Sequence, residues 1–283
     1  MTRRRRLRRA VIAGLSLALV AGGIYTSISL LQRSEQLITE ECTAAAGSQR
    51  ADLATDQAAN AALITAVSVR RGLPPRAASI ALATAMQESK LRNIGHGDLA
   101  GPDSRGLFQQ RPSQGWGTQE QVMDPVYATN AFYDALVKVP GYATLEITDA
   151  AQRVQRSAYP AAYAEHEAMG GSFASALTGE TPAALNCTLR SPDTAGNTDA
   201  LLTQLEAAYG NIPTTANGQT VEVDVADSYA WSVAHWAVAN AKDLSVERVD
   251  VDGKRWDRKA RNGWQDAPDA GGRVAITMAA DGS

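Results

Sequence analysis

Apolar residues recur at helical spacing through the middle of the chain and switch to alternating or short continuous runs only towards its end. The first stretch predicts a helix over residues 53–71, with Ala58, Ala61, Leu63, Ile64 and Val67 supplying the apolar spacing. Gly72 and the pair Pro74-Pro75 stop it, and Pro75 suits the first turn of the next helix, where its missing N–H is not needed. That second helix passes through Ala78, Ile80, Leu82, Ala83 and Met86 to Leu91 and is apolar nearly all round, the mark of a buried helix. Gly95, Gly97, Gly101, Pro102 and Gly106 predict a loop or short hairpin after it. Asp124-Pro125 opens a helix through Tyr127, Ala131, Phe132 and Leu136, which Pro140-Gly141 ends. A further helix is expected from Asp149 to about Tyr159, before Pro160 and a turn over residues 163–169.

Residues 188–222 are rich in Thr, Asn, Gly, Pro and Asp apart from the amphipathic piece Asp199–Tyr209, which predicts a linker holding one helix. The tail then reads as helix over residues 226–241 and as strand over residues 245–251 and 273–278. It also holds Trp231, Trp236, Trp256 and Trp264, four of the five tryptophans. The expected fold is mainly α: a helical domain over residues 53–187, the linker, and a small Trp-rich α+β module over residues 223–283. No internal repeat is visible.

Charge changes the picture at the N-terminus. Arg3, Arg4, Arg5, Arg6, Arg8 and Arg9 supply six of the 27 basic residues, which leaves 21 against 30 acidic ones and a net charge of −9 for residues 10–283. Such a body has no basic patch for phosphates, so nucleic acid is not an expected partner. Residues 10–31 form 22 positions without a charge, enough at about 1.5 Å per residue to cross a hydrocarbon core of about 30 Å. The arginines before this run predict a cytoplasmic tail over residues 1–9, an uncleaved transmembrane signal anchor over 10–31 and a polar connector over 32–52, with the rest extracytoplasmic at the cell membrane. Ala44-Ala45-Ala46 offers a cleavage site instead, which would leave a secreted protein. Cys42 and Cys187 are the only cysteines and bracket the helical domain. In an oxidising compartment such a pair reads as one disulfide closing a long loop, against the alternative of two unrelated thiols.

The chemistry concentrates in Ala83-Thr-Ala-Met-Gln-Glu-Ser-Lys-Leu91 and Gly106-Leu-Phe-Gln-Gln-Arg-Pro-Ser-Gln-Gly-Trp116. Glu88 is a single carboxylate near the exit of an apolar helix. An apolar surround disfavours the charged form and raises the pKa, which suits an acid that protonates a leaving glycosidic oxygen near neutral pH. A merely solvated helix-end glutamate is the plainer alternative.

Gln87-Glu88-Ser89 followed by Gly106-Leu-Phe-Gln-Gln110 resembles the lytic transglycosylase and goose-type lysozyme-like family, where a Glu-Ser pair at a helix end precedes a Gly-Leu-aliphatic-Gln block. The likeness is clearest over residues 78–136, and the Gly106–Trp116 run is also similar to exported actinobacterial lysozyme-like proteins. The resemblance implies a helical lysozyme-like fold with Glu88 at the position of the catalytic acid. It also implies that Ser89, Phe108, Gln109 and Gln110 orient that acid or line the saccharide cleft. Phe108 stands where methionine is usual. The family's later Ala-Tyr-Asn-Ala-Gly-type block is absent, and Gln155–Tyr163 takes its place, with Tyr159 as the candidate for its tyrosine.

Asp98 and Asp103 in the Gly-rich loop are the candidates for a second carboxylate, which inverting enzymes place roughly 6.5–9.5 Å from the acid and retaining ones at about 5 Å. Without one, Glu88 acts alone as acid and then base, the substrate's N-acetyl group serves as internal nucleophile, and a 1,6-anhydro sugar results. Trp116, flanked by Gly115 and Gly117, suits stacking on a sugar face or core packing. Arg111 reaches either an acidic substituent or solvent. His96, His166 and His235 are far apart, and metal-ligand spacings, a phosphate loop and a nucleophile elbow are all missing, so no metal or cofactor is expected. The expected function is cleavage of the MurNAc-GlcNAc bond of peptidoglycan, as a lytic transglycosylase or a muramidase. The alternative is a catalytically silent lysozyme-like module that binds the cell wall or acts as a scaffold, and a third role is recruitment of the wall or a partner by the tail.

Overall fold

A computed structural model describes Val20, Gly23, Glu35 and residues 37–99, 101–155, 160–268 and 271–280. It divides into two units, Met1–Thr39 and Glu40–Ser283. The expected anchor over residues 10–31 lies outside the described residues apart from Val20 and Gly23. Among the described residues no helix is long and apolar enough to cross a membrane, so the structure gives the expected single-pass placement no support.

The second unit begins with a hairpin, β1 (Glu41–Ala46) and β2 (Gln49–Ala54), followed by α1 (Thr55–Arg70) and α2 (Pro75–Ser89). After a long loop come α3 (Gln119–Met123), α4 (Pro125–Leu136), α5 (Ile147–Gln155), a 3-10 segment over Pro160–His166, and α6 (Glu167–Leu177). The chain continues through β3 (Leu185–Thr188), α7 (Thr198–Tyr209), β4 (Thr214–Asn217), β5 (Thr220–Val223) and α8 (Asp227–Ala239). It ends in β6 (Val246–Val251), β7 (Lys254–Asp257), β8 (Trp264–Asp266) and β9 (Val274–Met278). Of the described residues 44% are helical and 19% lie in strands, which form two antiparallel sheets, so the fold is mixed α/β and not mainly α.

The three-stranded sheet, ordered β2-β1-β3, was hidden because Ala-rich and charged stretches carry low strand propensity. A two-residue turn with Gly47 at φ +61° closes the hairpin. On the other edge Cys42 stands directly opposite Cys187, and the two form a disulfide. Residues 41–52 of the expected connector are therefore largely strand. The six-stranded sheet runs β4-β5-β9-β6-β7-β8, so the expected linker over residues 188–222 contributes α7, β4 and most of β5 to folded structure.

One core serves the whole unit. α2 packs against α6, and the small residues between them set the spacing: a Cβ at Gly170 would lie 2.8 Å from the Ser79 carbonyl oxygen. α8 packs on α1, α6 and β3. Trp231, Trp236 and Trp256 are buried, and the indoles of Trp256 and Trp264 donate to Asn186 Oδ1 (2.9 Å) and the Leu185 carbonyl (2.8 Å). The tail tryptophans thus fasten α8 and its sheet to β3.

Candidate active site around Glu88

Pro75 occupies the first turn of α2, as its sequence suggests, and the helix carries a buried alanine-rich body out to Glu88 and Ser89. It stops without glycine. Lys90 and Leu91 adopt φ of +56° and +55°, a left-handed conformation that is unfavourable for side-chain-bearing residues by roughly 1–2 kcal/mol each. The buried Leu91 side chain and the Ser89 hydroxyl hold this turn, for Ser89 Oγ lies 2.7 Å from the Leu107 carbonyl oxygen and accepts from the Arg92 N–H at 3.2 Å. Strain of this kind, held in place by its surroundings, gathers at functional sites.

The Gly106–Gln110 block is fixed beneath the same helix end. Gly106 has φ +77°, and a Cβ there would sit 2.1 Å from the Val122 carbonyl oxygen, so only glycine fits. The backbones of Arg105 and Gln110 bond each other in both directions (3.0 and 2.9 Å), and Gln109 between them has φ +48°. Phe108 is fully buried with its ring stacked on Phe132 at 4.5 Å, and Gln110 is buried with its amide donating to the Ala128 carbonyl at 3.0 Å. The structure therefore places Ser89, Phe108 and Gln110 in the packing that supports Glu88 and not on a cleft wall. Gln109 is half-buried and donates to the Gly106 carbonyl at 3.3 Å.

Glu88 itself meets the 3-10 segment over Pro160–His166. The buried Tyr163 donates its hydroxyl proton to Glu88 Oε1 at 2.7 Å, and His166 Nε2 lies 3.0 Å from Gln87 Oε1. Gln155, at the end of α5, donates to the Phe108 carbonyl at 2.8 Å and favours the ionised form of the nearby Glu88 carboxyl. Burial pushes the Glu88 carboxyl above the usual glutamate range, and the Tyr163 hydroxyl and the Gln155 side chain offset part of that rise. The result is a carboxyl that keeps its proton to higher pH than an exposed glutamate does.

Gln155 also lines a cleft of about 620 Å³. Trp116 and Gln114 come to it from the loop, Ala135, Lys138 and Val139 from the end of α4, and Arg153 and Val154 from α5. Trp116 is half-buried, so one part of the indole packs on the core while the rest faces the cleft.

The remaining candidates fall elsewhere. Asp98 is exposed and its Oδ1 accepts from the Gly101 N–H at 2.8 Å. Asp103 is bonded by Ser113 and paired with Arg111 at 2.9 Å, contacts that hold its carboxyl well below the usual range. Arg111 is thereby tied to its own loop. Tyr159 lies outside the described residues, and Tyr163, four positions on, is the tyrosine that hydrogen-bonds Glu88. Among the described residues no cluster of His, Cys, Asp or Glu is arranged to hold a metal ion. Sequence reasoning missed Tyr163, Gln155, Lys138 and Arg153 as site residues. No local pattern marks Tyr163, which is brought to Glu88 only by the packing of the 3-10 segment on α2. No family model matches the chain, and neither does any curated protein.

Proposed function

We propose that this chain cleaves the MurNAc-GlcNAc bond of peptidoglycan as a lytic transglycosylase-type enzyme, with Glu88 as its acid and base. The observation that carries this reading is the Glu88 carboxyl itself: raised by burial, fixed by a buried tyrosine, and linked through Gln155 to an open cleft holding Trp116. The resemblance of the two sequence blocks to that family supplies the substrate class. Glu88 gives its proton to the glycosidic oxygen as the C1–O bond breaks, and the acetamido oxygen of the sugar attacks C1. The Glu88 carboxylate then takes the C6 hydroxyl proton while the C6 oxygen displaces the acetamido oxygen from C1. A 1,6-anhydro sugar forms and no water is consumed.

A muramidase would need a second carboxylate or a water activated by one. Among the described residues, the side chains that act on the Glu88 carboxyl are the neutral Tyr163 and Gln155, whereas Asp103 is engaged with Arg111 and Ser113. This favours Glu88 working alone. The Cys42–Cys187 disulfide suits a protein that works in an oxidising compartment. The test is release of soluble fragments from purified peptidoglycan by the native chain and by Glu88→Gln, whose amide oxygen still accepts from Tyr163. Loss of release at unchanged melting temperature is expected, and undiminished release by Glu88→Gln refutes the assignment.

A further inference from the structure

The cleft beside Glu88 has a charge that proton transfer does not use. Lys138 follows α4 and Arg153 lies on α5, so two separate elements bring cations to one concavity, and among the described residues that line it there is no carboxylate. Both residues are exposed, and among the described residues neither side chain is engaged in an ion pair or hydrogen bond. Elsewhere in this acidic body cations stand against anions: Arg71 with Asp134, Arg76 with Glu167, Arg92 with Asp56, Arg111 with Asp103. Two uncompensated cations beside a half-buried tryptophan suit a saccharide that carries negative charge.

Resting on the reading of Glu88 as a glycan-cleaving acid, we propose that Lys138 and Arg153 make the cleft select glycans bearing a carboxylate substituent over neutral N-acetylglucosamine polymers of the same backbone. The carboxylate is that of the lactyl ether on MurNAc or one on the peptide attached to it. The guanidinium takes a carboxylate as a two-pronged fork, and the ammonium acts as a point charge. Exposed pairs are weak singly and screened by salt, so the selectivity lies in affinity and fades as ionic strength rises.

The test measures binding of three oligosaccharides of equal length to the full chain: a chito-oligosaccharide, a peptide-free MurNAc-GlcNAc glycan and a peptide-bearing one. Glu88→Gln prevents turnover, and the same measurement is repeated with K138Q and R153Q added. Two exposed pairs together give a preference of about fivefold for the carboxylate-bearing glycans at low salt, which K138Q/R153Q removes. With Glu88 intact, the same double change raises KM for the carboxylate-bearing glycan more than it lowers kcat. A preference already present for the peptide-free glycan identifies the lactyl carboxylate, and one present only with peptide identifies the peptide. Equal binding of all three, or a preference that survives K138Q/R153Q, overturns the proposal while leaving Glu88-dependent cleavage intact. Absence of binding to any glycan together with absence of Glu88-dependent products overturns the underlying reading and this proposal with it.

Discussion

Tyr163→Phe removes one hydroxyl from a buried contact and leaves the ring in place. That hydroxyl donates to Glu88 Oε1 at 2.7 Å, and its bond lowers a carboxyl pKa that burial has raised. A hydrogen bond to a charged acceptor contributes about 1.5–3 kcal/mol, and one to a neutral acceptor about 1 kcal/mol. The sign of the pH dependence follows from linkage. A carboxyl whose folded-state pKa is raised contributes stability that is present below the ordinary glutamate pKa and lost as pH rises through the raised value. Tyr163 offsets that loss by favouring the ionised form, so its hydroxyl matters more at neutral pH than in acid. Tyr163→Phe is therefore predicted to destabilise by about 1.5–3 kcal/mol near pH 7 and by about 1 kcal/mol near pH 4. For a folded unit of this size the neutral-pH loss is a drop of about 3–12 °C in Tm. Thermal and urea denaturation of the native and variant chains at both pH values measure it, and the general-acid limb of the pH-rate profile should move to higher pH in the variant. An equal loss at the two pH values, or none at neutral pH, refutes the assignment of this bond to the ionised Glu88.

C42S/C187S opens a loop of 145 residues, and the chain-entropy argument predicts a loss of up to about 5 kcal/mol, read as a lower Tm that reductant reproduces in the native chain. Phe108→Ala should destabilise by about 3–5 kcal/mol in denaturant melts, because it empties a buried site beside Phe132. Glycan affinity, measured where the variant is still folded, should change little by comparison. Gly170→Ala places a methyl 2.8 Å from the Ser79 carbonyl oxygen and should cost about 1–3 kcal/mol by forcing α2 and α6 apart. His235 is buried with Nδ1 2.7 Å from the Ala176 carbonyl, and burial pushes its imidazole down to about 4. Its depressed pKa gives stability that is present above about pH 6.5 and lost as pH falls towards about 4, a difference of about 3 kcal/mol that His235→Gln should remove from the slope of stability against pH.

Helices that carry their own punctuation were legible in the sequence. Pro75 starts α2, and Asp124-Pro125 starts α4, with the Asp124 side chain accepting from the Tyr127 N–H at 2.7 Å. The strands over residues 273–278 and 245–251 showed as apolar or alternating runs and pair with each other as β9 and β6. β1, β2 and β3 did not show, because their sequences have little strand character, and β3 joins the β1–β2 hairpin across the 145 residues that separate Cys42 from Cys187. The tail's dependence on the rest was equally non-local. Buried Trp256 meets Asn186, and α8 packs on α1, so removal of residues 222–283 would expose the core of the unit and not simply free a recruiting module. At the site, Glu88 was legible from its position at the end of an apolar helix. Its partners Tyr163 and Gln155, and the cations of the cleft, depend on how α5 and the 3-10 segment fold back on α2. Phe108 and Gln110 illustrate the converse: their spacing from Glu88 is real, but their side chains turn into the packing.

Mass analysis of the fragments released from purified peptidoglycan tests the central claim most directly, with Glu88→Gln as the control. The account predicts 1,6-anhydro-muropeptides, lighter by one water than hydrolysis products, from the native chain and none from Glu88→Gln. Reducing-end products would contradict the anhydro-forming route, and fragments that persist undiminished in Glu88→Gln would contradict the role of Glu88 altogether.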